Sequence, residues 1–232
     1  MMIALTSIPV ELDLPALRQR AHVPAETADA EEFDRWVARA RDRAKPKAVF
    51  QEAFVEQKAA ETITLNGITF VSQALTQNLH TERVFAFVAT CGRELDQIHH
   101  CTGDLLKDFW WETIKTSVLE NAFNFLQQHL AQTYSLQKTA TMSPGSGDAE
   151  IWPIEQQRKL FALLGNVEER IGVELTESCL MIPNKSVSGI LFPTAVDFRT
   201  CQLCHRAGCL SRRAAFDPPL WQTLHPDAGE MH

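Results

Sequence analysis

The sequence predicts an α+β fold, with a mixed or antiparallel central sheet flanked by helices. Three features carry that expectation. Val84-Phe85-Ala86-Phe87-Val88, within Arg83–Ala89, is a compact apolar run of the kind a buried strand shows. Asn66-Gly67 interrupts the strand-forming stretch Ile63–Phe70 and is a strong tight-turn signal. Asp104–Thr133 places Leu106, Trp110, Ile114, Val118, Ala122, Phe125 and His129 on one arc at helical spacing, which predicts a long helix.

In chain order, Leu14–Ala21 and Glu31–Ala44 read as helices, the second stopped before Pro46. Ala48–Val55 favours a strand. After Arg83–Ala89, Thr90-Cys91-Gly92 ends the apolar run and Glu94–Cys101 begins another helix. Thr139–Glu150 is a Gly/Ser/Pro loop. Pro153 suits the first turn of a helix that carries Ile154, Leu160, Phe161 and Leu164 inward and stops at Gly165. Val173–Thr176 and Ser186–Phe192 are further strands. Beyond Cys201 the chain turns polar, cysteine-bearing and irregular, with Pro218-Pro219 near its end. There is no internal repeat. The reading divides the chain into a helical segment over 1–45, an α+β core over 46–195 and a cysteine-bearing tail over 196–232.

Composition sets the class. At 232 residues, 45% hydrophobic and 22% charged, the chain fits one sizeable domain with a true core. A formal charge of −7 and the lack of a long Lys/Arg run argue against a nucleic-acid surface. No uninterrupted apolar stretch approaches the ~20 residues of a membrane span. Met1–Val10 is apolar but lacks a basic leader, and Glu11 and Asp13 follow it, unlike a secretory signal. Without export, six cysteines read as thiols, metal ligands or redox groups. The expected location is cytoplasmic.

Three constellations carry chemistry. Ser143-Pro144-Gly145-Ser146-Gly147-Asp148 packs two glycines and two serines ahead of a helix. Such a loop can turn backbone N–H groups toward one point as an anion nest, or be a plain surface turn with Asp148 as helix cap. The second is Leu175–Gly189, in which Thr176 and Ser178 flank Glu177 and a proline turn leads to Ser186-Val187-Ser188-Gly189. Strand alternation places Ser186 and Ser188 on one face and Val187 on the other, and the serine face is either a ligand face or a solvated one.

Together the two segments resemble a known family. Thr176-Glu177-Ser178, Met181, Pro183 and Ser186–Gly189 closely resemble a signature stretch of the S-adenosylmethionine-binding activation domain of cobalamin-dependent methionine synthase. Pro144-Gly145 and the helix beginning Ile151-Trp152 sit where that family has a Pro-Gly-Tyr loop and its following helix. Ser143–Gln157, with Lys159-Leu160-Phe161, resembles its short stand-alone members. The resemblance is strong over Thr141–Leu191 and looser over Val84–His129.

The resemblance implies S-adenosylmethionine bound in a shallow groove and docking over the corrin of a partner domain, in methionine synthase or a related methyltransferase. There the domain permits reductive methylation of inactive cobalamin, with flavodoxin or ferredoxin as electron donor. It implies a loop of Pro144, Gly145 and Ser146 facing ligand and corrin, with Gly147 and Asp148 beside it in the expected ligand set. Glu120 resembles a family acid at the ligand's amino-acid end, and Glu177, Lys185, Ser186 and Ser188 complete the expected ligand set. Helix geometry puts Glu120 roughly 20° from Phe109 and roughly 40° from Leu106, at the edge of the apolar arc. Two positions depart from the family: Thr141 stands where larger members have Arg, and Ser146 where they have Tyr. Lys185 and Arg158 are candidates to replace the missing guanidinium.

The third constellation is Cys201-x2-Cys204-x4-Cys209, followed by Arg212-Arg213. Two thiolates two residues apart can grip one metal, and a third can close around it. The expected occupant is an iron–sulfur cluster or zinc, with Cys179 as the fourth ligand, or else Cys91, Cys101, His205, His225 or an outside group. His99-His100 reads as a surface pair. Three functions follow: a reactivation subunit, an electron-transfer module built on the cysteines, or a corrinoid-protein partner that binds neither ligand nor metal.

Overall fold

The computed structural model describes residues 1–98, 103–146, 151–195, 198–206, 208–209 and 212–224. Its frame is a seven-stranded sheet, antiparallel at every pairing. The central strand β2 is Lys47–Lys58, and its twelve residues serve two partners along one edge. An N-terminal strand β1 (Ile3–Leu5) pairs with its first half, Ile3 opposite Phe50. Strand β3 (Thr62–Leu65) pairs with its second half. Strand β4 (Ile68–Val71) closes a hairpin on β3 through Asn66 and Gly67, at φ 45° and 80°. Two positive φ values are what a tight hairpin turn of this twist demands. Along the other edge of β2 run, in spatial order, β5 (Arg83–Thr90), β9 (Ser186–Pro193) and the edge strand β6 (Thr139–Met142). A separate two-stranded ribbon joins β7 (Glu174–Leu175) to β8 (Met181–Ile182).

Alternation along the strands sorts side chains onto two faces. Val84, Ala86 and Val88 of β5, with Ile190 and Phe192 of β9, face the core that holds Trp152 and helices α3 (Gln73–Asn78), α5 (Gln157–Leu164) and α6 (Val167–Ile171). Phe85, Phe87 and Ala89, with Leu191, face the long helix α4 (Leu105–Tyr134). A third core forms where α1 (Leu14–Arg20) and α2 (Ala28–Arg43) cover the first half of α4. There Phe33 and Trp36 meet Trp110 edge-on at 5.8 and 6.0 Å. Each large apolar side chain so buried contributes roughly 1.5–3 kcal/mol of transfer free energy.

Several boundaries differ from the sequence reading. On α4 the buried line follows Trp110, Ile114, Val118 and Ala122 and then Leu126 and Leu130, while Leu106 is 50% exposed. Steps of four residues drift by about 40°, and the helix changes neighbours from α1 and α2 to the sheet along its length. The helix expected from Glu94 is one 3-10 turn, Arg93–Leu95, in the described part of that segment. Leu95 and Ile98 are its buried apolar residues, and a spacing of three anchors a single tight turn. The loop expected from Thr139 begins as β6, with Ala140 and Met142 buried and Thr139 and Thr141 opposite. Pro218-Pro219 opens a helix, α7 (Pro218–Leu224), because proline fits the first turn. The segment before residue 46 is helical over α1 and α2 but also supplies β1. Among the described residues no helix is long and apolar enough to cross a membrane.

Candidate functional site

Helix α4 covers β2, β5 and β9 but not the α4-side face of the edge strand β6. The uncovered space is a groove of about 390 Å³. Its apolar wall is Phe87, Leu119, Phe123 and Val187, and Thr139, Thr141 and Ser143 line the β6 side. Glu120 and Ser146 also line it, together with the segment Phe198–Cys201 and Arg213. Val187 lines it because odd-numbered residues of β9 face α4. Gly189 shares that parity, and a Cβ there would meet the Met142 carbonyl oxygen at 2.3 Å and Ser143 Oγ at 2.8 Å. The missing side chain lets β6 and the loop after it approach β9.

The loop itself is internally bonded. The Gly145 N–H, at φ 73°, donates to the Trp152 carbonyl at 2.8 Å, and the Ser146 N–H donates to the Ser143 carbonyl at 3.1 Å. These two N–H groups therefore do not form the expected anion nest; the turn uses them. Pro144 is buried beneath it. Gly147 and Asp148 lie outside the described residues.

Glu120 is held by Arg20 of α1, whose guanidinium donates to Oε2 at 2.6 Å and to Oε1 at 3.3 Å. Arg213 stands 4.0 Å from Oε1. The groove thus carries one carboxylate and two guanidinia, Arg199 and Arg213, over an apolar wall.

Other expected site residues stand elsewhere. Ser188 is buried on the α5 side and donates to Gln157, whose Nε2 donates to the Cys179 carbonyl at 3.0 Å. Ser186 donates to the Pro183 carbonyl at 2.8 Å and bonds the Thr90 hydroxyl at 2.9 Å. The serine face and the Val187 face are separate as expected, yet the groove lies on the Val187 side. Glu177 is exposed, its carbonyl accepting from Arg158, and Thr176 and Ser178 close their own turn at 3.0 Å. Lys185 pairs with Glu112 at 3.0 Å, beside Lys115, which bonds Glu112 and Asp96. None of Glu177, Lys185, Ser186 and Ser188 lines the groove.

The cysteines are not gathered either. Among the described residues no three His, Cys, Asp or Glu side chains are grouped to hold a metal ion. Cys179 is buried beside α5, whereas Cys201 lines the groove on the α4 side. Cys91 is buried, and burial followed by the nearby Asp96 charge pushes its thiol up to about 12. The His205 ring packs on Phe216 and Trp221 at 4.3 and 4.7 Å. The loop from Cys201 to Cys209 closes instead around Arg212, whose guanidinium donates to the carbonyls of Cys201, Cys204, Arg206 and Ala214 at 3.1, 3.0, 2.6 and 3.2 Å. Cys101, His99, His100 and His225 lie outside the described residues.

The family model of the vitamin B12 dependent methionine synthase activation domain matches residues 39–203, more than half of the chain. The chain belongs to that family. Among solved structures, the crystal structure of the MetH reactivation domain bound to AdoHcy matches with a TM-score of 0.55 and 16% identity, over 85% of this chain and 80% of that one. At that identity the likeness is one of fold. No curated protein matches by sequence. The matched span of the activation domain ends at Leu203, inside the tail loop, and begins at Arg39, inside α2. Arg20 and Arg213, which meet at Glu120, both lie outside it. Nothing in the sequence links Arg20 to a residue a hundred positions away. Arg212-Arg213 was visible, but only as a flank of the cysteines.

Proposed function

We propose that this activation domain binds S-adenosylmethionine in the groove between α4 and β6 and docks on the corrinoid-binding domain of a methionine synthase. The observation that carries the reading is the convergence of Glu120 of α4 with Thr141 and Ser146, from β6 and the turn that follows it, on one groove with an apolar wall. A sulfonium and an ammonium gain Coulomb energy beside a part-buried carboxylate, and the adenosine has the part-buried Leu119, Phe123 and Val187 to lie against, with Phe87 fully buried behind them. The fold neighbour's bound AdoHcy, the demethylated product of that ligand, supports the same assignment.

The chain's own contribution is placement. Docked on the partner domain, the chain would present the ligand's methyl group to the partner's cobalt, which would accept it after reduction by an electron from a flavodoxin or ferredoxin, leaving the thioether S-adenosylhomocysteine. Glu120 orients the amino-acid end, the apolar wall excludes water from one side, and the 143–146 turn borders the open face where a corrin would sit.

The test is reactivation in trans. A methionine synthase lacking its own activation domain, holding oxidised cobalamin, is supplied with S-adenosylmethionine, reductant and this protein. Recovery of turnover that depends on both ligand and protein is expected. No recovery beyond that given by ligand and reductant alone overturns the reading.

A further inference from the structure

We propose that Arg213 binds the carboxylate of the ligand's amino-acid end, and that the cysteine-bearing loop is built to hold it there. The inference rests on the groove being the S-adenosylmethionine site.

Among the described residues, the polar side chains on the β6 side of the groove are the hydroxyls of Thr139, Thr141 and Ser143. A carboxylate held with two parallel hydrogen bonds needs a guanidinium, and those lining the groove are Arg199 and Arg213. Arg213 is the one opposite Glu120, 4.0 Å from Oε1, the outer limit of an ion pair. Glu120 already has Arg20 on both oxygens, at 2.6 and 3.3 Å, so its charge is met without Arg213. A guanidinium and a carboxylate side by side match the two charges that an α-amino acid carries on one carbon. Arg213 takes the carboxylate, and the looser Oε1 of Glu120 takes the ammonium.

The tail fixes where Arg213 points. Its backbone N–H lies 3.5 Å from Cys201 Sγ, and its neighbour Arg212 donates a backbone N–H to the Cys209 carbonyl at 3.1 Å. The Arg212 guanidinium gathers three carbonyls of the loop, those of Cys201, Cys204 and Arg206, and the Ala214 carbonyl beyond it. That loop is docked on the edge strand through Thr200, which donates to the Thr141 carbonyl at 3.1 Å. Arg212 is therefore a positioning residue and Arg213 a binding residue.

Calorimetric titration with S-adenosylmethionine and with 5′-methylthioadenosine, which lacks the amino-acid end, separates the outcomes. Arg213→Ala is expected to weaken S-adenosylmethionine by about tenfold or more, the range of a lost charge-assisted pair. Methylthioadenosine binding should stay within about twofold, since it has no carboxylate to lose. Arg213→Lys should recover part of the loss, and Arg212→Ala should reproduce it for S-adenosylmethionine only. Wild-type affinity in Arg213→Ala overturns the proposal while leaving the groove assignment standing. Equal loss for both ligands also overturns it, because the residue would then shape the groove rather than read the carboxylate. A wild-type protein that binds neither ligand overturns the groove assignment and this inference with it.

Discussion

Arg20 of α1 clamps Glu120 of α4 with two hydrogen bonds, across a hundred residues of sequence. Their side chains are 44% and 32% exposed, so the pair is screened and worth no more than about 1 kcal/mol. Arg20→Ala should therefore move the melting temperature by only about 2–4 °C. Removing the competing cation leaves Glu120 for the ligand, so S-adenosylmethionine should bind several-fold more tightly. Weaker binding would mean that Arg20 itself holds the acid in its working position.

Gly189 separates two crowded segments. A methyl group there would stand 2.3 Å from the Met142 carbonyl oxygen, and backbone cannot yield cheaply. Gly189→Ala should cost about 1–3 kcal/mol in urea denaturation, as overpacking does, and weaken ligand binding by displacing the turn over Ser143–Ser146. Unchanged stability and unchanged binding together would refute the close-approach account.

Glu112 and Lys115 set a pH signature. Burial alone would push the Glu112 carboxyl up, but its hydrogen bonds and charges with Lys115 and Lys185 outweigh that and hold it below its usual value. Burial would lower Lys115, and its bonds to Glu112 and Asp96 raise it instead. A depressed carboxylate stabilises the fold above its unfolded value of about 4.3, and that contribution disappears as pH falls through the folded value. A raised lysine stabilises below about 10.4 and loses the effect as pH rises through its folded value. Glu112→Gln should thus cost about 1 kcal/mol near neutrality, discounted for the 41% exposure of Glu112, and the difference from wild type should disappear as pH falls through the depressed folded value. A difference that persists into acid would assign the loss to packing.

Thiol chemistry separates the tail from the core. Cys91 is fully buried with its thiol raised to about 12, and Cys179 is 2% exposed, while Cys201, Cys204 and Cys209 are partly exposed. Alkylation followed by peptide mass mapping should label the three tail cysteines in the folded protein and the two core cysteines only after unfolding. Tail labelling that appears only after chelation would show that a metal, not Arg212, closes the loop.

Most of the frame was legible in the sequence because its signals are local. The Asn66-Gly67 turn, the apolar run at Val84–Val88 and the periodicity of α4 each need only a few neighbouring residues to interpret. β6, α3 and α6 were missed because four to six residues are too few to establish a period. Of the residues lining the groove, the family resemblance singled out Glu120 and Ser146, with Thr141 only as a departure from the family, and helix geometry placed Glu120 at the arc's edge. The arginines were not found, because Arg20 and Arg213 reach Glu120 only after α1 and the tail fold onto α4. The cysteine spacing suggested metal, since carbonyls gathered by a guanidinium leave no mark in a sequence.

Glu120 and the apolar wall line one groove, which we propose as a single ligand site. It is tested most directly by calorimetric titration of the wild type and of Glu120→Ala with S-adenosylmethionine. Saturable one-to-one binding is expected in the wild type, weakened by about tenfold in the variant, the effect of removing a charged hydrogen-bond partner. No saturable binding at millimolar ligand, or equal affinity in the two proteins, would contradict it.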